Sequence, residues 1–155
     1  MTKTERADAV YSCYCAYLDG KGLTYKRDDA ERTILLKMTG DDFPITLLLR
    51  VEEENERTFV FGKLPFDLAR EKRVDLIMAT TYVNQVLAVG TYCVDGESVS
   101  YESNEIYAGL HGFSPAYAER VIGGALSAID AFNDKLFAVN KGLMTVKEFA
   151  SGFTA

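Results

Sequence analysis

The sequence predicts an α+β fold in the order α-β-β-β-α-β-β-α, with one antiparallel sheet of about five strands and helices packed on one of its faces. Three observations predict it. Residues 43–51 alternate apolar and polar positions with a period of two. Apolar residues recur at three- and four-residue steps near both ends and in the middle of the chain. The turns inside each strand group are too short for a crossover, which forces antiparallel pairing.

Residues 5–18 read as the first helix, with Ala7, Val10, Tyr11, Tyr14, Tyr17 and Leu18 on one face. Thr4 is its expected cap, and Gly20 and Gly22 stop it. Leu23-Thr24-Tyr25 opens an extended segment that turns at Arg27-Asp28-Asp29. Residues 32–38 follow as a strand with Ile34, Leu36 and Met38 on one side, ending in the turn Thr39-Gly40-Asp41-Asp42. In the next strand Phe43, Ile45, Leu47, Leu49 and Val51 alternate against Pro44, Thr46, Leu48 and Arg50. An acidic turn at residues 52–56 leads to a third strand over residues 58–62, with Phe59 and Phe61 read as inward.

Leu64-Pro65-Phe66 breaks the sheet, and Asp67 caps a helix reaching about Gln85. Its periodicity makes Val74, Ile77, Met78, Thr81, Tyr82 and Val86 the expected buried side. Residues 90–94 and 98–103 form a hairpin through Asp95-Gly96, a turn that needs positive φ. Ser114-Pro115 starts a long helix to about Ala138, buried through Val121, Ile122, Ala125, Leu126, Ile129, Phe132 and Leu136. Gly123-Gly124 inside it costs roughly 1 kcal/mol per glycine relative to alanine, so a close neighbour is expected there. The tail after Asn140 carries one more short helical segment at residues 145–150. The whole chain, residues 1–155, fits one domain, with no repeat or linker dividing it.

The net charge of −6 and the scattered basic residues argue against a nucleic-acid partner. Arg70, Lys72 and Arg73, interrupted by Glu71, read as a solvated helix face. No apolar run approaches the ~20 residues of a membrane span, and no leader is visible, so a cytoplasmic location is expected. Cys13, Cys15 and Cys93 are no disulfide framework. On a helix, Cys13 and Cys15 would point about 200° apart, which does not suit a shared metal.

The block Tyr82-Val83-Asn84-Gln85-Val86-Leu87-Ala88-Val89-Gly90-Thr91-Tyr92-Cys93-Val94-Asp95-Gly96 resembles the central block of the YbjN-like family. Asn84 near a helix end, Gly90 opening a strand, then Tyr92, Val94 and Asp95 fill the family's places. Gly22-Leu23-Thr24-Tyr25 and the Leu64-Pro65 lead into a helix match as well. The resemblance implies a fold similar to that of the small specificity chaperones of type III secretion. It also implies action through protein contacts, and it brings no catalytic residues.

The residues themselves point the same way. His111, the one histidine, lies in a loop without a serine or cysteine elbow, and Ser114 is accounted for as a cap. The contiguous acids of residues 52–56 lack the alternation and glycine of a calcium loop. No cofactor or metal site is expected. Tyr11, Tyr14 and Tyr17 are either core or a partner-facing stripe. Leu35, Leu48 and Val60 are expected on the sheet face away from the helices, where they would meet a second copy or a client segment. The expected function is therefore a non-enzymatic module that engages a protein or peptide partner. The alternative is a ligand sensor with an apolar pocket lined by Tyr82, Phe61 or Phe132.

Overall fold

The computed structural model describes residues 1–153; the last two positions of the expected tail lie outside the described residues. Six strands make one antiparallel sheet: β1 (Tyr25–Asp28), β2 (Thr33–Thr39), β3 (Pro44–Glu52), β4 (Arg57–Asp67), β5 (Thr91–Asp95) and β6 (Ser98–Ile106). Their spatial order is β1-β2-β3-β4-β6-β5. The extra strand is β1, grown from the extended segment after the first helix. Helices α1 (Lys3–Gly20), α2 (Arg73–Val86), α3 (Pro115–Ala118), α4 (Gly124–Asn140) and α5 (Val146–Ser151) complete the chain.

Helix α1 starts earlier than expected, because Thr2 and not Thr4 caps it. The Thr2 hydroxyl accepts from the Glu5 amide at 3.1 Å, and the Glu5 carboxylate accepts from the Thr2 amide at 2.7 Å. Thr145 and Glu148 close α5 in the same way. The long helix expected from Ser114 is interrupted by a wide π turn at Glu119–Gly123. Of its two glycines, Gly124 has open space where a Cβ would sit, whereas one on Gly123 would press on the Glu119 carboxylate. No other element packs close against the pair: Glu119 is on the same helical turn, and the Tyr17 hydroxyl of α1 would lie at an ordinary 3.6 Å from a Cβ on Gly123.

The core lies between the sheet and the helices. Ile34, Leu36, Leu47, Leu49 and Val60 of the sheet are fully buried there with Val10, Tyr14 and Leu18 of α1, and Ile122 and Leu136. Tyr11 and Tyr14 are core residues, and Tyr17 is half-buried against it, so the tyrosines of α1 are not a partner-facing stripe. The Tyr14 hydroxyl bonds Thr58 at 2.8 Å inside the core.

The phase of β4 is opposite to the expected one. Thr58, Val60, Gly62 and Leu64 face the helices, while Phe59 and Phe61 face away. The reason is steric. A Cβ on Gly62 would stand 2.6 Å from the Ile129 side chain of α4, so that position admits no side chain. In the opposite phase Phe61 or Lys63 would come to that spot.

Helix α2 is rotated relative to expectation. Leu76, Ala79, Thr80 and Val83 are buried, whereas Val74, Ile77, Met78, Thr81 and Val86 are exposed. Asn84 sets that rotation: its amide donates to the Tyr92 carbonyl at 2.9 Å and accepts from the Tyr92 amide at 2.7 Å. The smaller buried face lets α2 lie close to β5, and Thr80 can be buried because its hydroxyl bonds the Leu76 carbonyl. Gly90 (φ +80°) then turns the chain where a side chain would strike the Tyr101 ring. A second amide clamp, Asn140, bonds Asp67 and Ala69 and fastens the end of α4 to the exit of β4.

The acidic turn between β3 and β4 is tied down by arginines: Glu56 to Arg6 at 2.5 Å, Glu53 to Arg32 at 3.0 Å and Glu52 to Arg57 at 2.6 Å. The Arg6 and Arg57 guanidiniums hold Glu56 and Glu52 below the ordinary carboxylate value of 4.5.

Replacing Asn84 with Ala leaves two strand groups of Tyr92 without partners and is expected to cost about 2 kcal/mol or more, read as a lower urea midpoint. For carboxylates lowered in the folded state, the stability they add is present above their unfolded value and lost as pH falls. Arg6→Met should therefore be less stable than the native chain at neutral pH. The two urea midpoints should converge as pH drops below 4.5; a constant gap would show that the pair contributes by packing alone.

Candidate functional site

Beyond the core, two apolar surfaces stand out. One is the face of the sheet turned from the helices. Strand register places Leu35 beside Leu48, and Leu48 beside Phe61. Phe59 lies two residues from Phe61, with ring centroids 6.3 Å apart and an interplanar angle of 20°. All four are half-buried, and none belongs to the core or packs against it. Leu35 and Leu48 stand where the sequence predicted them. Val60 does not: it is fully buried on the helix side, opposite Leu49, and Phe59 and Phe61 take its place outside.

Exposed cations surround this patch. Lys26 is in register with Leu35, Lys37 and Arg50 lie two residues along their strands from Leu35 and Leu48, and Lys63 lies two residues from Phe61. Glu102 is the acid in register, beside Phe61. Asp28, further along β1, has its carboxylate occupied by the amides of Ala30 and Glu31.

The other surface is the outward side of α2. Val74 is 67% exposed, Ile77 44% and Met78 47%. With Thr81 and Gln85 they occupy positions i, i+3, i+4, i+7 and i+11, one continuous stripe without a charged side chain. Val86 and Val89 are also exposed, after the stripe in sequence and off its line; at the other end, exposed Leu143 follows Gly142, which lies against Lys72. Periodicity had identified this stripe correctly as apolar and wrongly as buried. The sequence carries a second apolar face on the same helix, and that one won the core.

The pocket expected between Tyr82, Phe61 and Phe132 is not formed. Phe61 is on the other side of the sheet, and Phe153 stacks between Tyr82 (6.3 Å) and Phe132 (5.8 Å), with Phe149 against it at 5.3 Å. The tail thus fills the space. An open groove of about 600 Å³ lies elsewhere, between α1 and the start of α3, lined by Cys13, Ala16, Tyr17, Phe113, Ala116 and Glu119. Its polar groups serve one another: the Tyr17 hydroxyl donates to Glu119, and Lys21 pairs with the same carboxylate at 3.6 Å. Burial pushes Tyr17 up to about 12.

His111 is an exposed loop residue with no side-chain hydrogen bond or ion pair among the described residues, and Ser114 caps α3 through the Tyr117 amide at 3.4 Å. Burial raises the thiol pKa of Cys13, Cys15 and Cys93 above the ordinary value, which keeps them protonated and poorly nucleophilic. Among the described residues no cluster of three or more His, Cys, Asp or Glu could hold a metal, and no helix is long and apolar enough to cross a membrane.

A search among curated proteins found no match to this chain. The model of the YbjN family, described as "Putative bacterial sensory transduction regulator", matches residues 15–138. The matched span takes in the sheet, α2 and most of α4, together with the Asn84 clamp and Gly90, and leaves α5 outside it. On that match, the chain belongs to the YbjN family.

Proposed function

We propose that this protein is a non-enzymatic, regulatory or chaperone-like module that works in the cytoplasm by binding protein, and that it does so as a homodimer joined through α2. The observation that carries the dimer is the stripe Val74, Ile77, Met78 and Thr81, the broadest exposure of large aliphatic side chains on a regular element. Fully covering such a side chain contributes roughly 1.5–3 kcal/mol. From Val74 to Thr81 the stripe runs about 10 Å along α2. It suits a two-fold pairing because it carries no charge: two copies of an acidic chain repel least where they meet through neutral side chains. The family description as a regulator supports a binding role over a catalytic one. Three free cysteines suit a reducing compartment.

Light scattering over a range of concentration tests the dimer. The native chain should scatter as a dimer, and Ile77→Glu combined with Met78→Glu should scatter as a monomer with an unchanged circular dichroism spectrum. Leu48→Glu, on the sheet, should remain dimeric. A native chain that is monomeric throughout, or a dimer lost on Leu48→Glu and kept in the α2 variant, would overturn the assignment.

A further inference from the structure

We propose that the outward face of the sheet is a docking site for an acidic segment of a partner protein. Its apolar side chains would cover Leu35, Leu48, Phe59 and Phe61, and its carboxylates would meet Lys26, Lys37, Arg50 and Lys63. This rests on the reading that the protein acts by binding protein, and it names the chemistry of the partner.

Charge decides the occupant. The chain carries a net charge of −6, yet the side chains nearest this patch are mainly basic: Glu102 is the acid in register, and Glu52, two residues beyond Arg50, is paired with Arg57 at 2.6 Å. Acidic groups are gathered elsewhere, in the turn after β3, where arginines already pair with them. Lys26, Lys37 and Arg50 have no ion pair among the described residues, and the Lys63 contact with Asp67 is long, at 3.8 Å, and exposed. A second copy would bring like charges face to face across a two-fold axis, so this face is unsuited to self-association. An acidic segment has the complementary charge, and its approach is accelerated by it.

Two neighbouring aromatics on a basic sheet also resemble a platform for single-stranded nucleic acid. The centre of the patch, however, is aliphatic: Leu48 lies between Leu35 and Phe61 in register. Leucine offers an apolar side chain a dry contact and offers a base no ring to stack on. The overall charge of −6 further disfavours a polyanion whose every residue is charged.

The test is fluorescence anisotropy on the full chain with three labelled probes: a peptide of alternating leucine and glutamate, its leucine–lysine counterpart, and an oligouridylate. In an extended peptide, alternation puts the leucines on one side. The glutamate peptide should bind saturably below about 1 mM, more weakly as salt rises. Lys37→Glu with Lys63→Glu should weaken it roughly tenfold or more, as should Leu48→Gln; each variant is checked for folding by circular dichroism. Ile77→Glu on α2 should leave it unchanged. Equal binding of the lysine peptide, no saturable binding, or indifference to the sheet variants would overturn the proposal. Preferential capture of the oligouridylate would replace it with a nucleic-acid site. Loss of binding on Ile77→Glu alone would move the contact to α2, rejecting the sheet while leaving the protein-binding function standing.

Discussion

The approach of α4 to the sheet over Gly62 is the constraint on which the other surfaces depend. Ile129 sits where a Cβ would be, so the middle of β4 can present only Thr58, Val60 and Gly62 to the helices. A strand has two faces and a period of two. Once the small residues are committed inward, Phe59 and Phe61 are committed outward. They meet Leu48 and Leu35 because the tight turn between β3 and β4 fixes the register. The apolar outer patch is thus a consequence of close packing on the opposite side.

Asn84 does for α2 what Gly62 does for β4. A helix with two apolar faces can rest on either. The amide clamp on Tyr92 admits one rotation, and Tyr92 is itself held from the other side, its hydroxyl donating to the Ala128 carbonyl of α4 at 2.9 Å. Directional hydrogen bonds, costly to leave unmade where they are shielded from water, select between two apolar faces that area alone does not distinguish. Asn84, Gly90 and Tyr92 form one joint: the amide clamps the strand, the glycine clears Tyr101, and the tyrosine ties the strand to α4.

Much of the architecture was legible. The hairpin forms with its two-residue loop one position later than expected, at Gly96-Glu97, because Asp95 pairs with Ser98 and Gly96 alone of the turn takes a positive φ. The alternation in β3 and the Ser114 cap each rest on local chemistry and stand as read. So do the outward Leu35 and Leu48, which follow from the same alternation. What was not legible depends on contacts far apart in sequence. Reading Phe59 and Phe61 as inward puts Val60 outside by alternation, and nothing local shows that Ile129 lies over Gly62. The glycine in phase with Val60 was the available signal. The buried side of α2 was misread for a similar reason: periodicity finds a stripe but not which side the fold will cover. The signal for the Thr2 cap is Glu5, three residues on, the spacing of a capping box.

The tail also changes the character of the molecule. Phe149 and Phe153 occupy the hollow beside Tyr82 and Phe132, and they are joined to α4 through residues 141–145 alone. Plug and hollow are therefore parts of one chain, and the plug is present at an effective concentration that a dissolved molecule rarely reaches. A small apolar compound would have to outcompete two tethered aromatic rings to enter. Among proteins built on this frame, then, receptivity to such compounds can be gained or lost in the segment that follows α4, with every residue lining the hollow left unaltered.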